Sequence, residues 1–259
     1  MRNRLLSVVL SAAALVAAAA PAPFRDDMAQ RTLACTGCHG AQGRAGPDGY
    51  YPRIAGKPAG YLYNQLLHFR EGRRHYGLMT NLVDTLSDAY LADIARHYAA
   101  LDVPYPASPA ATAPPEVLQR GRTLALLGDA EQRLPACAGC HGKALTGVQP
   151  DVPGLLGLPR DYLNAQLGAW RTGQRRAHSP DCMGDIARRL SAEDLSAVTA
   201  WLAAEPVPQH AKPAAAAAAD AAAPVRRKGR KAVAVATAPA PPPMRCGSAT
   251  MPPAAGTRP

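Results

Sequence analysis

The sequence predicts an all-α chain built as two tandem small domains followed by a disordered tail. Three observations predict it. The pentapeptide Cys35-Thr36-Gly37-Cys38-His39 recurs as Cys137-Ala138-Gly139-Cys140-His141. Apolar residues recur at helical spacing in both halves, and a proline-rich stretch, residues 102–115, divides them. A chain of 259 residues has room for two such domains.

Cys-x-x-Cys-His is the attachment site of a c-type haem. The two sulfurs add to the vinyl groups of the porphyrin, and the spacing on a helical turn lets both reach. The next residue then aims its imidazole at the iron, which favours a neutral nitrogen ligand. Small residues (Thr36, Gly37, Ala138, Gly139) lie where the porphyrin edge presses on the backbone. One copy alone could be a chance match, a redox pair or half of a zinc site. Two copies 102 residues apart, each followed by glycine and each with a methionine downstream, point to two covalent haem c groups.

Residues 1–22 read as an export signal: Arg2 and Arg4, the apolar run Leu5–Ala20, then small residues that place cleavage near 20–22. The run is short and alanine-rich for a membrane span, with an uncleaved anchor as the alternative. Export fits haem attachment outside the bacterial cytoplasm, so the expected location is the periplasm. The first domain is expected over 23–101. A short helix over 26–34 leads into the first motif, and the Gly/Pro-rich residues 40–58 form a loop. Tyr61, Leu62, Leu66 and Phe69 give a helix over 59–71 that Gly72 ends. Met79 falls in a polar loop, and Ser87-Asp88 opens a helix carrying Tyr90, Leu91, Ile94, Tyr98 and Leu101.

Residues 102–115 make a stiff, extended linker. The second domain, 116–205, repeats the plan: a helix over 116–127, the second motif, a loop over 145–159 and a helix over 161–171. Met183 falls in a loop, and a closing helix over 191–204 carries Leu195, Val198, Trp201 and Leu202. Pro52, Gly56, Leu62, Gln65 and Gly72 match Pro153, Gly157, Leu163, Gln166 and Gly173 at an offset of 101. Each half is marginal for an apolar core alone, so the porphyrin supplies much of it.

The formal charge of +10 is not a property of the body. Two arginines belong to the leader, and residues 206–259 carry eight Lys/Arg against Asp220, which leaves the rest near neutral. No nucleic-acid partner is expected. The Ala/Pro-rich tail, with the cluster Arg226-Arg227-Lys228-Gly229-Arg230-Lys231, reads as a disordered, solvated segment. The sharper reading is a docking arm for an acidic partner or an anionic membrane surface.

The sixth iron ligand separates a carrier from a catalyst. Met79 follows His39 by 40 residues and Met183 follows His141 by 42, each ahead of the last helix of its half. The bland alternative is a pair of gap-filling core methionines. Equivalent placement in both repeats favours ligation, giving His39 with Met79 and His141 with Met183. His75, His178 and His68 are the rivals, each better read as a solvated or propionate-contacting histidine. His97 and His210 have no evident partner. Tyr61, Tyr162 and Trp170 read as packing. Arg73-Arg74 and Arg175-Arg176 read as propionate contacts or solvated charges.

The first half's Cys-x-x-Cys-His-Gly, Gly43-x-x-Gly46, Pro52-x-Ile54-Ala55-Gly56, Tyr61-Leu62-x-x-Gln65-Leu66-x-x-Phe69-x-x-Gly72-x-Arg74, Met79 and Leu86-Ser87-Asp88 resemble the cytochrome c4 family of dihaem carriers. Gly121-Arg122, Leu134-Pro135-Ala136-Cys137, Tyr162-Leu163-x-x-Gln166-Leu167 and Met183 carry the resemblance through the second half. It covers roughly residues 26–205. It implies two class I cytochrome c folds about a pseudo-twofold axis, with the haems close together near the interface. It also implies periplasmic electron transfer, typically between a cytochrome bc complex and a terminal haem–copper oxidase. The short first helix, the basic tail and Cys182 beside Met183 depart from the pattern.

Cys182 and Cys246 remain after haem attachment. In an oxidising compartment they invite a disulfide that would pin the tail near the second haem; two free thiols or a link to another chain are the alternatives. The leading function is a soluble electron carrier that makes and breaks no substrate bond, between redox proteins such as those complexes or a periplasmic dehydrogenase. A dihaem enzyme (a peroxidase or sulfur-compound dehydrogenase) with one haem open to substrate is the second reading. An electron-transfer subunit held in a larger complex is the third.

Overall fold

The computed structural model describes residues 26–46, 49–209, 211–216 and 246–254. The expected leader, the basic cluster 226–231 and His210 lie outside the described residues. The described residues form ten α-helices, one 3-10 turn (Ala41–Gly43) and one small ladder, with one apolar core in each half.

The helix expected over 26–34 is two. Helix α1 (Met28–Arg31) starts where the Asp27 carboxylate accepts from the Gln30 amide at 2.9 Å. Thr32 breaks it: its hydroxyl donates to Met28 O at 2.6 Å, and the chain restarts as α2 (Leu33–His39). Gly40 ends α2 at φ +72°, where an added Cβ would lie 2.5 Å from Ala45 O. Glycine is required there. Helix α3 (Ala59–Arg70), α4 (Gly77–Val83) and α5 (Asp88–Ala100) complete the first half. Ser87 caps α5 by accepting from the Tyr90 amide at 3.3 Å. Leu62, Tyr63, Leu67, Phe69, Val83, Leu91, Ile94 and Tyr98 form the core.

In the second half, α6 (Pro115–Leu126) has proline at its first position, where the missing N–H costs nothing. Then come α7 (Cys137–His141), the two-residue strands β1 (Gly147–Val148) and β2 (Val152–Pro153), α8 (Arg160–Arg171), α9 (Cys182–Arg189) and α10 (Ala192–Ala204). Among the described residues the antiparallel β1–β2 pair is the one ladder of strands, beside three isolated β-bridges. Helices α6 and α10 cross so closely at Gly121 that a Cβ would come within 2.2 Å of Ala197 O. Arg120 locks this crossing from the rim, donating to Asp194 at 2.7 Å and Asp129 at 2.8 Å.

Residues 102–114 have no regular structure but are tied along their first half. The Arg53 guanidinium donates to Val103 O and Pro104 O and lies 3.8 Å over the Tyr105 ring, while Ser108 donates to Glu205 O at 2.9 Å.

Short stretches of the tail 206–259 are described, and they lie against the body. Ala214 pairs with Val148 of β1, through Ala214 N to Gly147 O at 2.9 Å and Gln149 N to Ala214 O at 2.8 Å. Residues 246–254 form a strap across both halves. Cys246 is bonded to Cys182, Gly247 N donates to Pro180 O at 2.9 Å, and Ala249 N donates to Asn64 Oδ1 at 2.8 Å. Ala249 and Met251 pack on the first core, and Arg96 donates to Pro252 O. An added Cβ at Gly247 would lie 2.4 Å from the carbonyls of His178 and Ser179, so the strap is seated tightly.

Candidate haem sites

Each motif ends its helix in a buried histidine. His39 Nδ1 lies 2.8 Å from Pro52 O, and His141 Nδ1 lies 2.7 Å from Pro153 O. A carbonyl can only accept, so Nδ1 carries the proton and Nε2 keeps its lone pair for a metal. Burial lowers the pKa of both imidazoles, opposed by the carbonyl bond and assisted by Arg74 at His39 and by Lys57 at His141. Both rings are thereby held in the neutral form that ligates iron.

Cys35, Cys38, Cys137 and Cys140 stand outside any disulfide, each half-buried. Burial pushes the Cys137 thiol up to about 11. No group of three or more His, Cys, Asp or Glu gathers as a metal site among the described residues. Between the cysteines, a Cβ added at Gly37 or Gly139 would meet no protein atom within 4 Å.

The surroundings suit a large apolar group. Leu33, Tyr50, Leu78 and Leu82 are exposed in the first half, although they border the motif helix and α4. Tyr51 lies edge-on to His39, with ring centroids 6.2 Å apart, and Tyr50 joins it to Tyr76 at the start of α4. An apolar macrocycle is the group this rim fits.

Met79 and Met183 lie on short helices and not in the expected loops. Met79 is half-buried on α4, tied to α3 where Thr80 donates to Phe69 O at 3.2 Å. Met183 is half-buried on α9, which Asp181 caps by accepting from Gly184 N at 3.0 Å. Of the rival ligands, His75 is exposed, while His68 and His178 face each other with ring centroids 5.0 Å apart.

The residues that sequence reasoning placed least firmly are those that join the two sites. Arg74 donates to Gln65 at 3.1 Å, Gln166 at 2.6 Å and Tyr162 at 3.2 Å. Arg175 donates to Gln166 at 2.8 Å, Gln65 at 2.9 Å and Tyr61 at 3.4 Å. Each guanidinium also covers an aromatic ring of its own half, Phe69 or Trp170. The signal was the offset of 101 shared by the tyrosine, glutamine and arginine; what it could not show is that each set serves the other half. No carboxylate pairs with Arg74 or Arg175 among the described residues. Haem propionates are anions that such a pair fits.

No protein-family model matches the chain. It is 37% identical over 178 residues to the thiosulfate dehydrogenase electron acceptor of Thiomonas intermedia, covering 67% of this chain and 79% of that protein. It is 32% identical over 174 residues to cytochrome c4 of Pseudomonas aeruginosa, covering 66% of this chain and 84% of that one. Among solved structures, reduced recombinant cytochrome c4 from Pseudomonas stutzeri superposes with a TM-score of 0.56 at 28% identity, covering 67% of this chain and 94% of that one. The thiosulfate dehydrogenase TsdBA from Marichromatium purpuratum superposes at 0.57 with 39% identity over 65% of this chain, which spans only 36% of that longer protein. The chain belongs to the cytochrome c4 family: it is a dihaem c-type cytochrome, an electron carrier with two covalently attached haem c groups.

Proposed function

We propose that the protein is a periplasmic carrier that accepts electrons from a thiosulfate dehydrogenase and passes them to a terminal oxidase. His39 with Met79 and His141 with Met183 would hold the two haem irons. When bound, the haems supply one-electron iron chemistry at relatively high potential. The observation that carries the reading is the duplication of one ligand set: a neutral, carbonyl-anchored histidine and a methionine on a short helix in each half. Cys35 and Cys38, and Cys137 and Cys140, hold the groups in place. The Met79 and Met183 sulfurs would complete the ligand sets of the two irons, which would leave each site to exchange electrons without binding substrate.

Two relatives at 37% and 38% identity bear the name thiosulfate dehydrogenase electron acceptor, which supports the choice of donor over a cytochrome bc complex. The sulfur of Cys182, next to Met183, is engaged with Cys246. The disulfide suits an oxidising compartment. Among the described residues no helix is long and apolar enough to cross a membrane.

The test is anaerobic mixing of oxidised holoprotein with thiosulfate and a thiosulfate dehydrogenase. Both haems are expected to reduce, with thiosulfate alone giving no reduction. Inertness toward that enzyme, with rapid reduction by a cytochrome bc complex, would reassign the donor.

A further inference from the structure

We infer that Lys57, a residue of the first half, sets the reduction potential of the haem site built by the second half. The inference rests on His141 being that haem's proximal ligand.

Lys57 lies in the turn ahead of α3 and is 5% exposed. Its Nζ crosses to the second half and donates to Gly154 O at 3.0 Å. Gly154 follows Pro153, whose carbonyl accepts from His141 Nδ1. The start of α3 docks on the same loop, through Gly60 N to Pro150 O at 3.0 Å, so closely that a Cβ at Gly60 would come within 2.8 Å of that oxygen. The first half thus buttresses the proximal side of the second site, with a cation at the contact.

No carboxylate pairs with Lys57 among the described residues. Burial, then Arg53, lowers its ammonium to about 8, which leaves it positive at pH 7. Its charge is felt at His141. Arg53, the neighbouring buried cation, is turned to the linker carbonyls and Tyr105. The internal register puts Leu158, a buried apolar residue, at the position equivalent to Lys57. The proximal loop of the first site therefore has no matching lysine.

Reduction adds one electron to the site and lowers its positive charge. A fixed cation in a poorly screened interior stabilises that reduced state. Drawing on the Gly154 carbonyl also weakens the adjacent loop as an acceptor for His141, which acts in the same direction. An electron moving from the first haem to the second is thus drawn by a charge that the first half supplies, and only while the halves are docked.

The experiment is a potentiometric titration of holoprotein, followed optically, for the wild type, Lys57→Met, Lys57→Arg and Lys57→Gln. Met183→His, which lowers the second potential alone, marks that haem's wave. Lys57→Met is expected to lower the second wave, reducing the constant for transfer from first haem to second about tenfold, which is 59 mV for a one-electron couple. The first wave should stay in place and Lys57→Arg should resemble the wild type. Lys57→Gln, which keeps a donor but not the charge, should fall like Lys57→Met and serves if the methionine variant folds poorly. Unmoved waves in a variant retaining both haems, or equal movement of the two, would overturn the inference. Missing methionine–iron absorption in the wild type would refute the ligand reading instead, while the shift of the second wave would still decide the role of Lys57.

Discussion

Arg74 and Arg175 pair backbone to backbone across the boundary between the halves, as an antiparallel bridge flanked by His75 N to Gln174 O at 3.0 Å and Arg176 N to Arg73 O at 2.7 Å. Their side chains then share Gln65 and Gln166 in a closed ring of hydrogen bonds. The arrangement is self-complementary, as expected when duplicated units meet about a twofold relation. It fixes the two haem sites in one mutual placement with few contacts, each strongly directional.

Arg175 is 4% exposed, and removing it leaves the oxygens of Gln65, Gln166 and Tyr61 short of a donor. Arg175→Met should cost about 2–4 kcal/mol in urea denaturation. Arg175→Lys should recover only part of that, because a compact ammonium on a flexible stem lacks the guanidinium's fixed planar fork. A cost below the error of the measurement would mean the ring does not hold the halves together.

His68 makes the boundary sensitive to acid. It is 4% exposed, its Nε2 lacks a hydrogen-bond partner, and burial, then His178, pushes its pKa from 6.5 down to about 3. Between those values the unfolded chain binds a proton that the folded chain refuses. Stability is therefore full above pH 6.5 and falls as the pH drops toward 3. The loss from this group between pH 6.5 and 5 should be about 2 kcal/mol. His68→Leu should flatten that part of the profile, and an unchanged slope in the variant would remove His68 as its cause.

Much of this was readable from particular residues. The two pentapeptides, the caps Asp27, Ser87 and Ser191, and the glycines that end α2 and α3 are local signals, and the structure uses each locally. Helices α4 and α9 escaped because seven or eight residues make barely two turns, too few for periodicity to show. The split at Thr32 depends on one hydroxyl choosing a backbone carbonyl. The strap had no pattern at all. Its path depends on a disulfide spanning 64 residues and on Asn64 in the other half, and composition reports neither.

That disulfide yields a further prediction. Cys182 opens the helix carrying Met183, and Cys246 begins the strap that ends on the first core. Denatured holoprotein should show no free thiol, since four cysteines are bound to haem and two to each other. Cys246→Ser should expose one thiol. It should also lower stability by about 2–4 kcal/mol through the freed chain entropy and the loosened strap. A thiol count of two in the wild type would exclude the bond.

The methionines give the most direct test of the two sites, because each removal reads out separately. Met79→Ala should abolish the methionine–iron absorption of one haem and leave the other, and Met183→Ala should do the converse, so each single variant retains about half. The reduced form of each should then bind carbon monoxide at one haem per chain, while the wild type binds none. The effects should differ in stability. Met183 is held by a capped helix and a disulfide on the adjacent residue, so its loss leaves α9 anchored. Met79 lies on α4, which lacks a side-chain cap and is tied by Thr80, so its loss should loosen that helix more. Hydrogen exchange across 77–83 and 182–189 in the two variants checks this. Equal protection in both would show that the iron bond, rather than capping and the disulfide, holds the helices.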